Sequence, residues 1–144
     1  MSRFAQQLIG VKRVAWYASA IIDYASSATR SIAALGVLFQ RTDAGSITAT
    51  GSVLIRTEIL TANMWARIKD SFAPLTPVSE TLAERAFELR RDFGLRTVDA
   101  VHIATAVEDD TDAFVTCDAD FLRVQNAIPL GDGRTLRVLL ATQY

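Results

Sequence analysis

Lysine is almost missing from this chain of 144 residues: Lys12 and Lys69 are the only two, and every other basic residue is arginine. Cysteine and histidine occur once each, as Cys117 and His102. A lone cysteine excludes an internal disulfide and any zinc site built from several thiolates, and it fits a reducing cytoplasm. No run approaches the ~18 uninterrupted apolar residues of a membrane span. The opening MSRFAQQLIGVKR also lacks the long apolar stretch of a secretion signal, so a soluble cytoplasmic protein with no membrane partner is expected. Net charge is −1 at pH 7, which gives no global excess of positive charge for nucleic acid. Arginine grips phosphate with two parallel N–H groups, so its local placement matters more than the total. A genome-wide preference for arginine produces the same skew.

What the chain has in quantity is apolar side chain, half of all residues, enough to fill one core. No repeat, low-complexity tract or long linker interrupts it, and residues 1–144 read as a single domain. Residues 11–17 (VKRVAWY) read as a strand, and Ser19 to about Arg41 as helix with a break near Ser26-Ser27-Ala28. Ile47–Thr50, between Gly45 and Gly51, is a further strand candidate, and residues 52–72 follow a helical period through Leu60 and Met64. Pro74 and Pro77 flank a strand-like APLTPV. Ser79 or Thr81 can cap the next helix, with Glu80 early, Arg90 and Arg91 late, and Gly94 after its end. Thr97 can cap the helix that follows. Ala113–Cys117 reads as a buried strand, Ala119–Val124 as a short helix and Leu136–Ala141 as a last strand. Alternating helices and doubly apolar strands predict an α/β fold: a three-layer α/β/α sandwich around a mainly parallel sheet. Sites in such folds form beyond the carboxyl ends of the strands, where Tyr17 and Asp118 fall.

Two apolar stretches carry acids at chosen places. In TVDAVHIATAV, Asp99 stands in the first helical turn, and His102 shares its face three residues on. An acid there can simply complement the helix dipole. The surrounding Val98, Ala100, Val101, Ile103 and Ala104, however, make this a helix packed on most sides, and a carboxylate at its end suggests a presented ligand. In AFVTCDADF, Asp118 closes a strand, whereas Asp120 reads first as the cap of the short helix. Glu58 lies mid-pattern among Ile55, Ile59 and Leu60, where a glutamate alone is usually solvated. Carboxylates converging without cysteine make a hard-oxygen site suited to Mg²⁺ or Mn²⁺ rather than zinc. Metal-assisted phosphodiester hydrolysis is the leading reaction class.

These stretches resemble the PIN domain family, and within it the toxins of VapBC-type toxin–antitoxin systems. The resemblance is strongest in "LRTVDAVHIATA" and "AFVTCDADF", and weaker in "SVLIRTEIL" and "YASAIIDY". It implies an RNA-cleaving domain that uses Mg²⁺ or Mn²⁺, is usually a homodimer, and is covered by a cognate antitoxin. By position it gives Glu58, Asp99 and Asp118 as catalytic and metal-binding acids, Asp120 as an accessory metal ligand, and Ser19 as the small hydroxyl that supports the first acid.

That first acid is where the chain departs. The family's first strand ends in Leu-Asp-x-Ser-x-Ile-Ile; the same register here reads Trp16-Tyr17-Ala18-Ser19-Ala20-Ile21-Ile22. A neutral phenol, with a reference pKa near ~10, is a poor Mg²⁺ ligand and fills the space of one. Asp23 lies more than a helical turn past the strand end and is not expected to substitute. The expectation is a nuclease impaired at Tyr17, with a catalytically inactive PIN-like module that holds antitoxin or RNA without turnover as the alternative.

Other residues have plainer readings. His102 reads as a packing or hydrogen-bonding residue before a general base, and Cys117 as a core thiol. Trp65, Phe72, Phe87 and Phe93 read as core or dimer-interface residues, and Glu108-Asp109-Asp110 as exposed. Among Arg56, Arg90, Arg91, Arg96 and Arg123, Arg96 is the favoured phosphate contact because it stands beside Thr97 and Asp99. Asp118-Ala-Asp120 also resembles the aspartyl nucleophile of haloacid-dehalogenase-type phosphatases, but too little chain follows it. A phosphoacceptor receiver domain needs a lysine near the C-terminal end, and the last lysine is Lys69.

Overall fold

The computed structural model describes residues 2–25, 31–59 and 61–143. Its centre is a four-stranded sheet of β1 (Arg13–Trp16), β2 (Thr48–Thr50), β3 (Ala113–Thr116) and β4 (Arg137–Leu140), ordered β2-β1-β3-β4 with every pair parallel. Val14 lies opposite Ala49 on one side and Ala113 on the other, and Phe114 lies opposite Val138. Helices α1 (Arg3–Gln7), α2 (Ala18–Ala25), α3 (Ile32–Asp43), α4 (Leu54–Glu58), α5 (Ala62–Ile68), α6 (Glu80–Phe93) and α7 (Thr97–Glu108) complete it, together with a 3₁₀ turn over Ala119–Val124. The mainly parallel α/β/α sandwich expected from the sequence is thus observed.

Strand side chains alternate between faces, and each face builds its own core. Val14, Trp16, Val115, Cys117 and Leu139 pack with Phe4, Ile21, Leu35 and Leu38 from the first three helices. Ala15, Phe114 and Val138 pack with Leu82, Leu89, Ala100 and Ile103 from α6 and α7. Each fully buried Val, Leu, Ile or Phe among them contributes about 1.5–3 kcal/mol. Tyr17, the next residue after β1, falls on the second face and packs against the α6–α7 core.

Local signals account for most boundaries. Ser79 caps α6 by accepting from the Leu82 N–H, and Gly94 ends it at φ +66°, a left-handed conformation suited to glycine. Helix α7 is apolar nearly all round, and every residue from Asp99 to Ala106 is buried. The 3₁₀ turn occupies the span the sequence indicated, and Ser2 caps α1, an element the sequence pattern did not reveal.

Three segments differ from expectation. The 52–72 pattern is two helices, because Ile59 is extended and buried and Thr61 caps α5 by accepting from the Met64 N–H. Glu58 therefore ends a five-residue helix rather than lying in the middle of a long one. The N-cap of α7 is Arg96, with extended backbone, and Thr97 is already its first helical residue. The APLTPV segment makes a single isolated parallel bridge, Thr76 with Ser52, and Phe72 just before it makes another with Ala49; its prolines lack the N–H groups of a full ladder. The expected break at Ser26-Ser27-Ala28 and the position of Leu60 lie outside the described residues. No helix among the described residues is long and apolar enough to cross a membrane.

Candidate active site

Strand order reverses between β1 and β3: the chain leaves β1 toward β2 on one side and returns to β3 on the other. Connections diverge above their carboxyl ends, and a crevice opens there. Tyr17 follows β1, with its N–H bonded to the Val115 carbonyl, and Cys117 and Asp118 follow β3. Ser19, in the first turn of α2, joins the two ends: its hydroxyl accepts from the Cys117 N–H at 3.0 Å and lies 3.3 Å from the Thr116 hydroxyl, which in turn accepts from the Asp118 N–H.

Above this base lies a cleft of about 390 Å³ lined by Tyr17, Leu54, Thr57, Glu58, Arg96, Thr97, Val98 and Asp99. Helix α7 brings Asp99 into it from a buried first turn, and α4 brings Glu58 from its last turn, a position the helix dipole disfavours for an acid. Both oxygens of Asp99 are engaged. The Tyr17 hydroxyl donates to Oδ1 at 2.6 Å, and Arg96 Nε donates to Oδ2 at 2.9 Å. Arg96 Nη2 also lies 3.9 Å from Asp118 Oδ2. Glu58 Oε1 meets Nε2 of the buried His102 at 2.5 Å, and the Tyr17 ring stands edge-on to His102 and Phe121, with centroids 4.9 and 4.8 Å away.

This setting fixes the state of Tyr17. Burial first, then the hydrogen bond to Asp99, then the charges of Asp99 and Glu58 push its pKa well above the usual phenol value, and Arg96 opposes them only in part. The hydroxyl is therefore a proton donor at neutral pH. The hydrogen bond to Asp99, and then that residue's charge, hold the Arg96 guanidinium above its own usual value.

Of the residues singled out from sequence, Tyr17, Glu58, Arg96, Asp99 and His102 meet at the cleft, and Asp118 joins them through Arg96. Ser19 lies beneath, supporting the end of β3. Asp120 is exposed and reaches the cluster only through its backbone N–H, which donates to Asp118 Oδ1 at 2.9 Å. The cap of the 3₁₀ turn is therefore Asp118, not Asp120. Asp23 is buried between α2 and α3, where it accepts from the Ser31 hydroxyl. Leu54, Thr57 and Val98 were not anticipated as cleft walls. Leu54 had a signal in the sequence, since it stands four residues before Glu58 on one helical face; Val98 had none, reading as a packed residue where the structure leaves it 42% exposed.

Two plainer readings are refined. Phe87 is 56% exposed on α6, which removes the core from its two readings and leaves the dimer interface. Asp109 is half-buried and accepts from the Thr76 hydroxyl at 2.7 Å, whereas Glu108 and Asp110 are exposed as expected.

The donor set does not suit a divalent metal ion as it stands. No three Asp, Glu, His or Cys side chains among the described residues are close enough together to hold one. The phenol and guanidinium occupy the Asp99 oxygens that such an ion would use.

The profile of the PIN domain matches residues 52–127, more than half of the chain. The chain belongs to the PIN domain family. PIN domains are generally metal-dependent nucleases that use Mg²⁺ or Mn²⁺ on RNA or DNA, so a nuclease-type site is the coarse assignment. Glu58, Arg96, Asp99, His102, Asp118 and Asp120 lie inside the matched span, whereas Tyr17 and Ser19 precede it. No curated protein matches the chain.

Proposed function

We propose that this single PIN domain, residues 1–144, is the endoribonuclease toxin of a toxin–antitoxin pair, descended from a Mg²⁺- or Mn²⁺-dependent enzyme and held at low activity by Tyr17. Glu58, Asp99 and Asp118 are its catalytic acids, with Asp120 as an accessory. A homodimer in the cytoplasm, covered by a small antitoxin, is the assembly this reading carries. The observation behind it is the cleft itself: Glu58 and Asp99 face one opening at the switch point of a parallel sheet, with a phenol where an acid is expected.

The residues present have definable roles. The cleft gives RNA an apolar wall of Leu54 and Val98 and a guanidinium for phosphate. The Tyr17 hydroxyl donates a hydrogen bond to Asp99 Oδ1, and His102 fixes the direction of Glu58. With these donors in place, the acids are tied to each other's partners rather than open to a scissile phosphate.

The test is Tyr17→Asp, assayed for cleavage of a single-stranded RNA pool in Mn²⁺. Restoring one acid should raise the rate at least about tenfold, since even residues that only support a metal ligand are worth about 10–100-fold. Equal rates for the two chains would remove Tyr17 as the brake. Tight RNA binding by both with no cleavage by either would establish a binding module instead. Co-purification of a small partner encoded next to this chain tests the toxin role separately.

A further inference from the structure

The acids of the cleft already have a cation. The Asp99 side chain is only 10% exposed, and Glu58 and Asp118 are 27% and 30% exposed. Carboxylates this enclosed need neutralising partners. We propose that the Arg96 guanidinium is the resident cation of this centre, competing with any divalent ion for Asp99 and Asp118, so that the acidic cup is assembled without metal.

The geometry carries the assignment. As N-cap of α7, Arg96 has an extended backbone that lets its side chain fold back over the first turn onto Asp99, three residues ahead. Its planar fork then spans two elements, with Nε on Asp99 from α7 and Nη2 near Asp118 from the end of β3. The remaining groups of the cup are satisfied internally: Asp99 Oδ1 by the Tyr17 hydroxyl, Glu58 by His102, and Asp118 Oδ1 by the Asp120 N–H. Arg96 is itself 73% exposed, so its ion pair is screened and can open. Competition with an incoming dication, rather than its exclusion, is the consequence. This concerns what neutralises the acids and does not depend on the nuclease reading.

The experiment is Mn²⁺ binding, read from the electron paramagnetic resonance of free Mn²⁺, on the full chain and on Arg96→Gln and Arg96→Lys. The same three are made in the Tyr17→Asp background, where the phenol is gone, and all are checked for an unchanged circular dichroism spectrum. Arg96→Gln should bind Mn²⁺ about tenfold more tightly than its parent, the effect of removing one nearby positive charge at intermediate dielectric. Arg96→Lys, which keeps the charge, should stay within about threefold of its parent. The proposal is overturned if Arg96→Gln binds no more tightly than its parent in both backgrounds, or if Arg96→Lys gains as much as Arg96→Gln. RNA cleavage plays no part in the readout, so these outcomes stand whether or not the chain is a nuclease.

Discussion

Removing one oxygen atom tests the centre most directly. In Tyr17→Phe the ring keeps its edge contacts with His102 and Phe121, but Asp99 Oδ1 loses the donor that stands 2.6 Å away. Asp99 is too enclosed for water to replace that donor freely. A hydrogen bond to a charged acceptor is worth about 1.5–3 kcal/mol. Because Arg96 still holds Oδ2, about 2 kcal/mol is the expected loss, corresponding to a fall of about 6 °C in melting temperature for a domain of this size. Differential scanning calorimetry at neutral pH measures it. Asp99→Asn and the double variant complete a cycle in which a coupling of about 1–2 kcal/mol between the two positions is expected. If Tyr17→Phe melts at or above the unmodified chain, or if the single effects add without coupling, the phenol does not stabilise the buried acid and the account of the cleft fails.

Further outcomes follow from individual contacts. Because Tyr17 keeps its proton in the fold longer than in the unfolded chain, its contribution to stability is intact below pH ~10 and declines as pH rises above it; alkaline urea denaturation should show this decline, and Tyr17→Phe should flatten it. Ser19→Ala removes the acceptor of the Cys117 N–H and should lower stability by about 1 kcal/mol in urea, with β3 amides exchanging faster. Gly94→Ala forces a side chain into a left-handed backbone, at a cost of about 1 kcal/mol by the same measurement, although a Cβ there meets only the end of Arg123. Ser79→Ala should cost a similar ~1 kcal/mol through the cap of α6, without altering the cleft.

The chain announces its fold through signals that act over a few residues. Ser79 and Gly94 bracket α6, and the doubly apolar β3 requires helices on both faces, so the sandwich is legible from local pattern alone. The candidate site was legible to the extent that strand ends and helix starts are: Tyr17, Asp99 and Asp118 fall where the sequence places them. What the sequence hides are partnerships between distant residues. That His102 serves Glu58, 44 positions away, depends on α4 stopping at Glu58, and the extended Ile59 that stops it is an ordinary helix former by composition. The role of Arg96 was hidden in the same way. Thr97 is the better cap by residue type, yet the helix begins one residue earlier, and this turns the arginine back over the acids. Phe87, by contrast, has an apolar character that says nothing about which way its helix faces.

Asp118 holds up the fold with one oxygen and approaches Arg96 with the other, since Oδ1 accepts from the Asp120 N–H and Oδ2 lies 3.9 Å from Arg96 Nη2. The turn it anchors carries Phe121, whose ring rests against Tyr17. An alanine at this position, the usual way to make a dead control, would therefore loosen the wall behind the phenol while deleting the acid, and any lost activity would have two causes. Asparagine keeps an oxygen for the turn and removes only the charge, so it is the substitution that isolates the chemistry from the scaffold.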